Sequence, residues 1–276
     1  MRKPKPTNPK DSAPSVDASD REPAHRAARR LARELEHEGT SVLERAQRLA
    51  QRTEPQARRI ACELIPLSFD EDPGEAMAVL EGLAADDERK VRAAAVTACS
   101  RIVRAHFERV ADILAAWRDD ASPHLHRAVA VAVARAAEPH RLERVPHLMR
   151  LMGPLLGDSD PAVRRTVGLS TLGALLGAYP EATFEALVEW STSSDPQVLW
   201  NVAMAFTGAP AAPMAKRALI VLRKLALDDR RTVWRAAAAA MWQLGRRRPD
   251  VVRPELDRWL DDDVRGKVAR EALKYL

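Results

Sequence analysis

The chain has 276 residues, of which 46% are apolar, 4% are aromatic and 30% are charged. Its 44 Lys and Arg residues outnumber its 39 Asp and Glu residues, so the formal net charge is +5. This composition excludes a wholly disordered chain and disfavours a β-sheet protein, while the small positive excess selects no partner by itself.

The first 23 residues contain five prolines and many small polar residues, and four of the first ten residues are Lys or Arg. We expect residues 1–23 to form a flexible tail, because they contain no apolar cluster that could be buried. The chain has no apolar run near the ~20 residues of a membrane span and no apolar segment typical of a signal peptide. Cys62 and Cys99 lie in Ala-rich stretches without metal-site spacing, which predicts buried, reduced thiols. A soluble, cytoplasmic protein is therefore expected.

The first predicted element is a capping helix at about residues 24–38, and after it one short pattern recurs. Each copy has an acidic or turn-forming opening, an apolar anchor, often an arginine, and then small residues. The anchors are Ala57, Val91, Leu125, Val163, Val198, Val233 and Val264, at intervals of 34, 34, 38, 35, 35 and 31 residues. A period near 35 holds two helices with short connections, and neither helix could bury its apolar stripe without stacked neighbours.

The two helices of each repeat can be placed from this pattern. The second helix begins at the anchor segment, and prolines mark several of the helix starts. The first helices are amphipathic runs at 75–84, 107–117, 182–190 and 251–260. The sequence thus predicts an all-α fold, a right-handed α-α superhelix (HEAT-like solenoid) of about seven two-helix repeats that forms a single domain over residues 24–276.

The anchor motif resembles that of HEAT repeats, in which an Asp at the opening of the second helix is followed six residues later by an Arg. Asp86 with Arg92 and Asp158 with Arg164 have this spacing. The resemblance implies that Asp and Arg side chains form a ladder between successive repeats.

A second phrase, which begins with proline and ends with tryptophan, recurs at Pro180–Trp190 and Pro249–Trp259, with Trp117 at the equivalent place. Over about the last 100 residues the chain is similar to the AlkC and AlkD type alkylpurine DNA glycosylases. Those enzymes cradle damaged duplex DNA in a HEAT-like solenoid. The resemblance implies a catalytic Asp among tryptophans and an Arg from the next repeat, but the chain has Leu199–Asn201 where the arginine is expected.

Other kinds of chemistry find little support in the sequence. Gly168, Gly173 and Gly177 lie within a predicted helix, which indicates close packing rather than a phosphate-binding loop. His124 and His126 begin a helix without further metal ligands nearby, and the paired carboxylates recur in turns, where they act as helix caps. We therefore predict no catalytic residue, no cofactor and no metal.

Arginine and tryptophan are the side chains most suited to contact a partner. Stacked repeats would align the arginines in a row that could follow a phosphate backbone, and the tryptophans could stack on a base or anchor a protein. The ten predicted contacts are Arg92, Arg127, Arg164, Arg165, Trp200, Trp234, Arg235, Trp242, Arg246 and Lys267. The alternative is that the arginines are held in the ladder and the tryptophans lie in the core, as we expect for Trp117, Trp190 and Trp259.

Two functions follow from this pattern. The first is a non-enzymatic HEAT-like scaffold that binds a protein partner through its concave surface. The second is a protein of the alkylpurine DNA glycosylase type that binds duplex DNA, with or without activity on alkylated bases.

Overall fold

The computed structural model describes residues 23–276, and the regular elements in that range are all helices. The predicted tail lies outside the described residues except for Pro23, whose carbonyl accepts hydrogen bonds from the first turn of the first helix. The chain divides into two compact units, one that ends at Ala98 and one formed by Cys99–Leu276. The all-α class predicted from the sequence is confirmed, whereas a single domain over residues 24–276 stays a prediction.

The first unit contains the predicted capping helix and the first repeats. Its helices are α1 (Ala24–Glu38), α2 (Val42–Ala50), α3 (Pro55–Leu64), α4 (Pro73–Ala84) and the start of α5 (Arg89–Asp119). Side-chain caps begin two of them: Ser41 accepts from Glu44 N before α2, and Asp72 accepts from Glu75 N before α4. Both α1 and α2 pack against α3, which buries Ala57 and Ile60.

Helix α5 is interrupted at His106, where φ is −132° and ψ is 37°. The sequence pattern predicts a boundary there, because the anchor Val91 opens a second helix and the run at 107–117 is the first helix of the next pair. α5 therefore supplies one helix to each of two successive pairs.

The second unit continues the repeat with helices in two layers. After the end of α5 its helices are α6 (Pro123–Ala136), α7 (Val145–Leu155), α8 (Pro161–Thr166), α9 (Leu172–Ala178), α10 (Pro180–Trp190), α11 (Pro196–Ala205), α12 (Ala215–Leu225), α13 (Arg231–Arg247), α14 (Pro249–Trp259) and α15 (Gly266–Leu273). A π-helix, Val167–Thr171, joins α8 to α9. In one layer α6 packs on α8 and the π-helix, the π-helix on α11, α11 on α13, and α13 on α15. In the other layer α7 contacts α10 and α12 contacts α14.

The predicted period is present in the helix starts. The second helices begin at Pro55, Arg89, Pro123, Pro161, Pro196, Arg231 and Gly266, at intervals of 34, 34, 38, 35, 35 and 35 residues. With α5 counted as two helices, and α8, the π-helix and α9 counted as one, the helices over residues 42–276 follow one another as seven pairs. The helical-repeat solenoid predicted from the sequence is confirmed.

Most predicted anchors are buried, but those of the last repeats need correction. Ala57, Val91, Leu125, Val163 and Val233 are all buried. Val198 is half-buried, and its neighbour Leu199 is buried in its place. Val264 is wrong as an anchor: it is 41% exposed, in a turn where Asp262 accepts hydrogen bonds from Val264 N and Arg265 N. The buried anchor is Val268, two residues after α15 begins.

Two further predictions concern burial, and one concerns membrane spans. Trp117 and Trp259 are buried as expected, whereas Trp190 is half-buried. Cys62 and Cys99 are buried free thiols, and burial raises the pKa of each to about 12. No helix among the described residues is long and apolar enough to span a membrane.

Candidate functional site

Side chains at the fourth residue of several second helices contact the next repeat. In the first unit, Arg58 donates to both carboxylate oxygens of Asp86, at 2.7 and 3.1 Å. In the second unit, His126 takes the same place, and its Nδ1 lies 2.6 Å from Asp158 Oδ2. These contacts form the ladder that the HEAT resemblance implies. A third residue at this position, Arg92, instead donates to backbone carbonyls of its own turn.

At Arg164 the ladder has a neutral partner. Arg164 is the fourth residue of α8, and its Nη1 donates to Gln197 Oε1 at 2.8 Å. An amide oxygen accepts the hydrogen bond but carries no charge, so Arg164 keeps its positive charge uncompensated. The Nε2 atom of Gln197 is buried and has no hydrogen-bond partner among the described residues.

A cleft of about 580 Å³ lies beside this contact, where the starts of α8, α11 and α13 meet. Three predicted contact residues, Arg164, Arg165 and Trp200, line it together. The whole lining consists of Gly157, Ser159, Pro161, Arg164, Arg165, Pro196, Gln197, Trp200 and Thr232. None of these residues is acidic, so the lining combines two guanidinium groups with an indole. The Asp195 carboxylate borders it, since its Oδ2 lies 3.1 Å from the position that a Cβ of Gly157 would take. Such a site suits an anion with a flat or apolar neighbour.

The cleft belongs to a row of side chains with one member per repeat. Arg127, Arg165 and Arg235 each lie four residues after the first residue of their helix, and Trp200 and Arg270 have the same place in α11 and α15. The side chains of Arg127 and Arg165 form no hydrogen bond or ion pair with any described residue. Arg235 is 48% exposed and donates to Glu271 Oε1 at 3.1 Å. We call these five residues the second-helix row.

Five predicted contacts lie outside both the cleft lining and the second-helix row. Lys267 Nζ lies 5.8 Å from the Trp234 ring centroid and donates to the Asp228 carbonyl at 3.2 Å, so this pair joins α13 to α15. Trp242 has a structural contact, since its Nε1 donates to the Tyr275 carbonyl at 2.9 Å. Arg246 is exposed in the last turn of α13. Arg92, the last of the five, belongs to the first unit.

The structure also adds residues that the sequence did not indicate. Gln197, Ser159 and Thr232 line the cleft, but short polar residues at helix starts are interpreted first as caps. Arg270 was missed for another reason. Placing the last anchor at Val264 moves the repeat four residues too early, whereas an interval of 35 residues from Arg235 leads directly to Arg270.

The uncompensated charge of the cleft contrasts with the arginines elsewhere in the second unit. Arg223 donates to both carboxylate oxygens of Glu255, at 2.6 and 2.8 Å, and holds the pKa of that carboxyl below its usual range. Arg230 likewise donates to Asp228 and lowers its pKa. Ion pairs of this kind leave little net charge for a ligand, so Arg164 and Arg165 are the more available cations.

A model of the family described as "DNA alkylation repair enzyme" matches residues 21–170, which are 150 of the 276 residues. The chain belongs to this family. The matched residues include Arg164, Arg165 and the turn at 157–161 that lines the cleft. The Pro–Trp phrases of the C-terminal repeats indicated the same family, but the match lies N-terminal to most of them.

Among solved structures, the chain is similar to several engineered or designed proteins. An engineered protein is 20% identical over 71% of this chain and 96% of its own, with a TM-score of 0.34. A designed armadillo repeat protein in complex with the peptide (KR)4 is 16% identical over 84% and 98%, with a TM-score of 0.32. A computationally designed armadillo repeat protein for modular peptide recognition is 17% identical over 85% and 99%, also with a TM-score of 0.32. At these values the likenesses establish nothing further about this chain, and no curated protein matches it.

Proposed function

We propose that the protein binds duplex DNA through the second-helix row of its second unit, with the cleft at the centre of the contact. The observation that carries this proposal is the pairing of Arg164 with a neutral amide beside an unpaired Arg165 and the indole of Trp200. Membership of the DNA alkylation repair enzyme family supports a nucleic-acid partner for these cations.

The second-helix row sets the length of the proposed interface. Helices packed in a layer lie about 8–10 Å apart, so one cation per repeat places successive charges at roughly that interval. Arg127, Arg165, Arg235 and Arg270 would then meet several phosphates along a backbone, and Trp200 would offer an aromatic face between them. Phosphate contacts of this kind fix position rather than sequence, which favours a binder that tolerates many sequences.

We propose binding without base excision for this cleft. Removal of a base develops positive charge on the sugar, which a carboxylate ordinarily stabilises, and the AlkC and AlkD resemblance implies an Asp for this role. The cleft lining contains no Asp or Glu, and Asp195, which borders it at Gly157, uses Oδ1 to accept from Gln197 N at 2.7 Å as a helix cap. A protein partner, the first function expected from the sequence, stays a prediction.

Fluorescence anisotropy with a labelled duplex at two salt concentrations tests the binding proposal. We expect affinity to fall steeply with salt, and a change of Arg165→Gln or Arg164→Gln to reduce the slope of log K against log salt by about 1. Arg253→Gln is the matched control, since Arg253 is an exposed arginine of α14, in the other helix layer, and pairs with Asp257. Binding that does not depend on salt, or an affinity that falls by the same factor in the Arg253→Gln control, would contradict the proposal.

A second arm places an alkylated base in the same duplex and measures released base by chromatography. We expect no release above the protein-free background. Release that disappears in Trp200→Ala would show instead that the cleft is an active site.

A further inference from the structure

The helix that carries Arg164 and Arg165 changes its winding directly after them. Residues Val167–Thr171 form a π-helix, and Gly168 within it is buried against α11. A Cβ atom at Gly168 would lie 2.7 Å from Asn201 Oδ1 and 3.1 Å from Trp200 Cζ3. Real side chains do not approach so closely, so only glycine permits this contact.

Asn201 is the polar residue at the centre of this contact. It is fully buried, and its Nδ2 donates to the Leu156 carbonyl at 2.7 Å. Its Oδ1 faces Gly168 and accepts no hydrogen bond from the described residues. Leu156 immediately precedes Gly157, which lines the cleft. The Asn201 carboxamide therefore contacts both the Leu156–Gly157 segment and the π-helix.

A buried carboxamide with an unpaired oxygen reduces stability compared with an apolar residue of similar size. Residues at equivalent depth in the neighbouring helix α13, such as Ala236 and Ala237, are apolar and buried. Core packing alone therefore does not account for Asn201. Its neighbour in sequence is Trp200, the only aromatic residue of the cleft lining.

We propose that Gly168 and Asn201 are positioning residues that fix the indole of Trp200 in the cleft. Gly168 allows the π-helix to reach the Cζ3 edge of the ring, while Asn201 ties α11 to the Leu156 carbonyl, so that neither side of the cleft can move without the other. The effect on DNA rests on the proposed function, but the placement of the ring does not.

Iodide quenching of tryptophan fluorescence tests the placement without any DNA. The contribution of Trp200 is obtained by subtracting the signal of Trp200→Phe from that of the unmodified protein. Gly168→Ala adds a methyl group to a contact with no space for it, so we expect the π-helix to move away from α11 and the Trp200 component to become more quenchable. Gly173→Ala is the control, because a Cβ at Gly173 meets no atom within 4 Å.

Duplex affinity provides the second readout. We expect Gly168→Ala to weaken binding by about tenfold, the scale of one impaired aromatic stacking contact, and Gly173→Ala to leave it unchanged. If the protein binds no duplex at all, the proposed function fails, but the quenching result still decides the positioning role.

A double-mutant cycle covers the case in which Gly168→Ala merely perturbs the fold. In an Asn201→Ala background the added methyl group no longer meets Oδ1, so Gly168→Ala should change the quenching of Trp200 less than it does alone. Equal changes in the two backgrounds, or a well-folded Gly168→Ala protein with unchanged quenching, would overturn the proposal.

Discussion

Glu255 is a buried carboxylate whose hydrogen bonds are all made by side chains of its own repeat and the repeat before it. It is 3% exposed, accepts from Nε and Nη2 of Arg223, and also accepts from Trp259 Nε1 at 2.9 Å. Arg258 donates to the same carboxylate at 2.5 Å. Because these donors favour the charged form, the pKa of Glu255 is lowered in the folded state.

The change Glu255→Gln should therefore reduce stability in a pH-dependent way. A lowered folded-state pKa means that the carboxylate stabilises the fold above the unfolded value, near 4.3, and that this contribution is lost as the pH falls through the folded pKa. We expect the free energy of unfolding to fall by about 1–2 kcal/mol at pH 7, with the difference shrinking towards pH 3. Urea unfolding at pH 7, 5 and 3 measures it. Asp257→Asn, an exposed change in the same helix, should stay within about 0.5 kcal/mol of the unmodified protein throughout.

At the scale of the element, the starts of the second helices carry most of the information that the sequence holds about the fold. Prolines at the first helical residue and Asp or Ser before it locate several of these starts, and the interval of about 35 residues locates the others. The last repeat was placed wrongly because three aspartates in a row, Asp261–Asp263, offer several equivalent turns. The structure selects the turn in which Asp262 accepts from two backbone N–H groups.

This correction of the last repeat can be tested by two valine substitutions. Val268 is fully buried between α15 and its neighbours, so Val268→Ala should reduce the free energy of unfolding by about 2 kcal/mol. Val264 is exposed, and Val264→Ala should change it by less than about 0.5 kcal/mol. Thermal or denaturant unfolding compares the two, and the reverse order would restore Val264 as the anchor.

The π-helix is an element that sequence reasoning could not predict. Gly168, Gly173 and Gly177 indicated close packing within a helix, and this is confirmed at Gly168, whose neighbours leave no room for a Cβ. At Gly173 nothing lies within 4 Å. The extra residue in the π-helical turn depends on contacts with Trp200 and Asn201 on another helix, and local propensity contains no information about such contacts.

At the scale of the whole molecule, the two cysteines report on the two units separately, since Cys62 lies in the first unit and Cys99 in the second. Both thiols are buried and both have a pKa raised to about 12. The thiolate is the reactive form, and it accumulates only as the pH rises towards that value.

We therefore expect both thiols to resist a disulfide reagent at pH 8 while the protein is folded. With the pKa raised to about 12, only about one thiol in ten thousand is ionised at pH 8, before any steric protection is counted. Absorbance of the released thiol follows the reaction, and Cys62→Ala and Cys99→Ala assign each phase. Rapid labelling of either residue under native conditions would show that its unit opens far more readily than its buried packing indicates.

The candidate site was predictable at this scale only in part. The sequence aligned arginines and tryptophans by repeat, and three of its ten candidates, Arg164, Arg165 and Trp200, share one cleft. Trp242 and Lys267 instead hold neighbouring elements together. Whether a side chain at a repeat position faces outwards or joins the next helix depends on the rotation of each helix about its own axis. A shift of one residue is enough to change that rotation, as in α11, where Leu199 is buried instead of Val198.

The amide of Gln197 also implies that the stability of the fold and the affinity for DNA oppose each other at this contact. A carboxylate at this place would complete an ion pair with Arg164, as Asp86 does with Arg58, so Gln197→Glu should make the protein harder to unfold while it repels phosphate from the cleft. Denaturation midpoints and duplex affinities, measured on the same preparation, should then move in opposite directions. The contact of the ladder that stabilises the fold least would then be the one whose arginine is available to a phosphate.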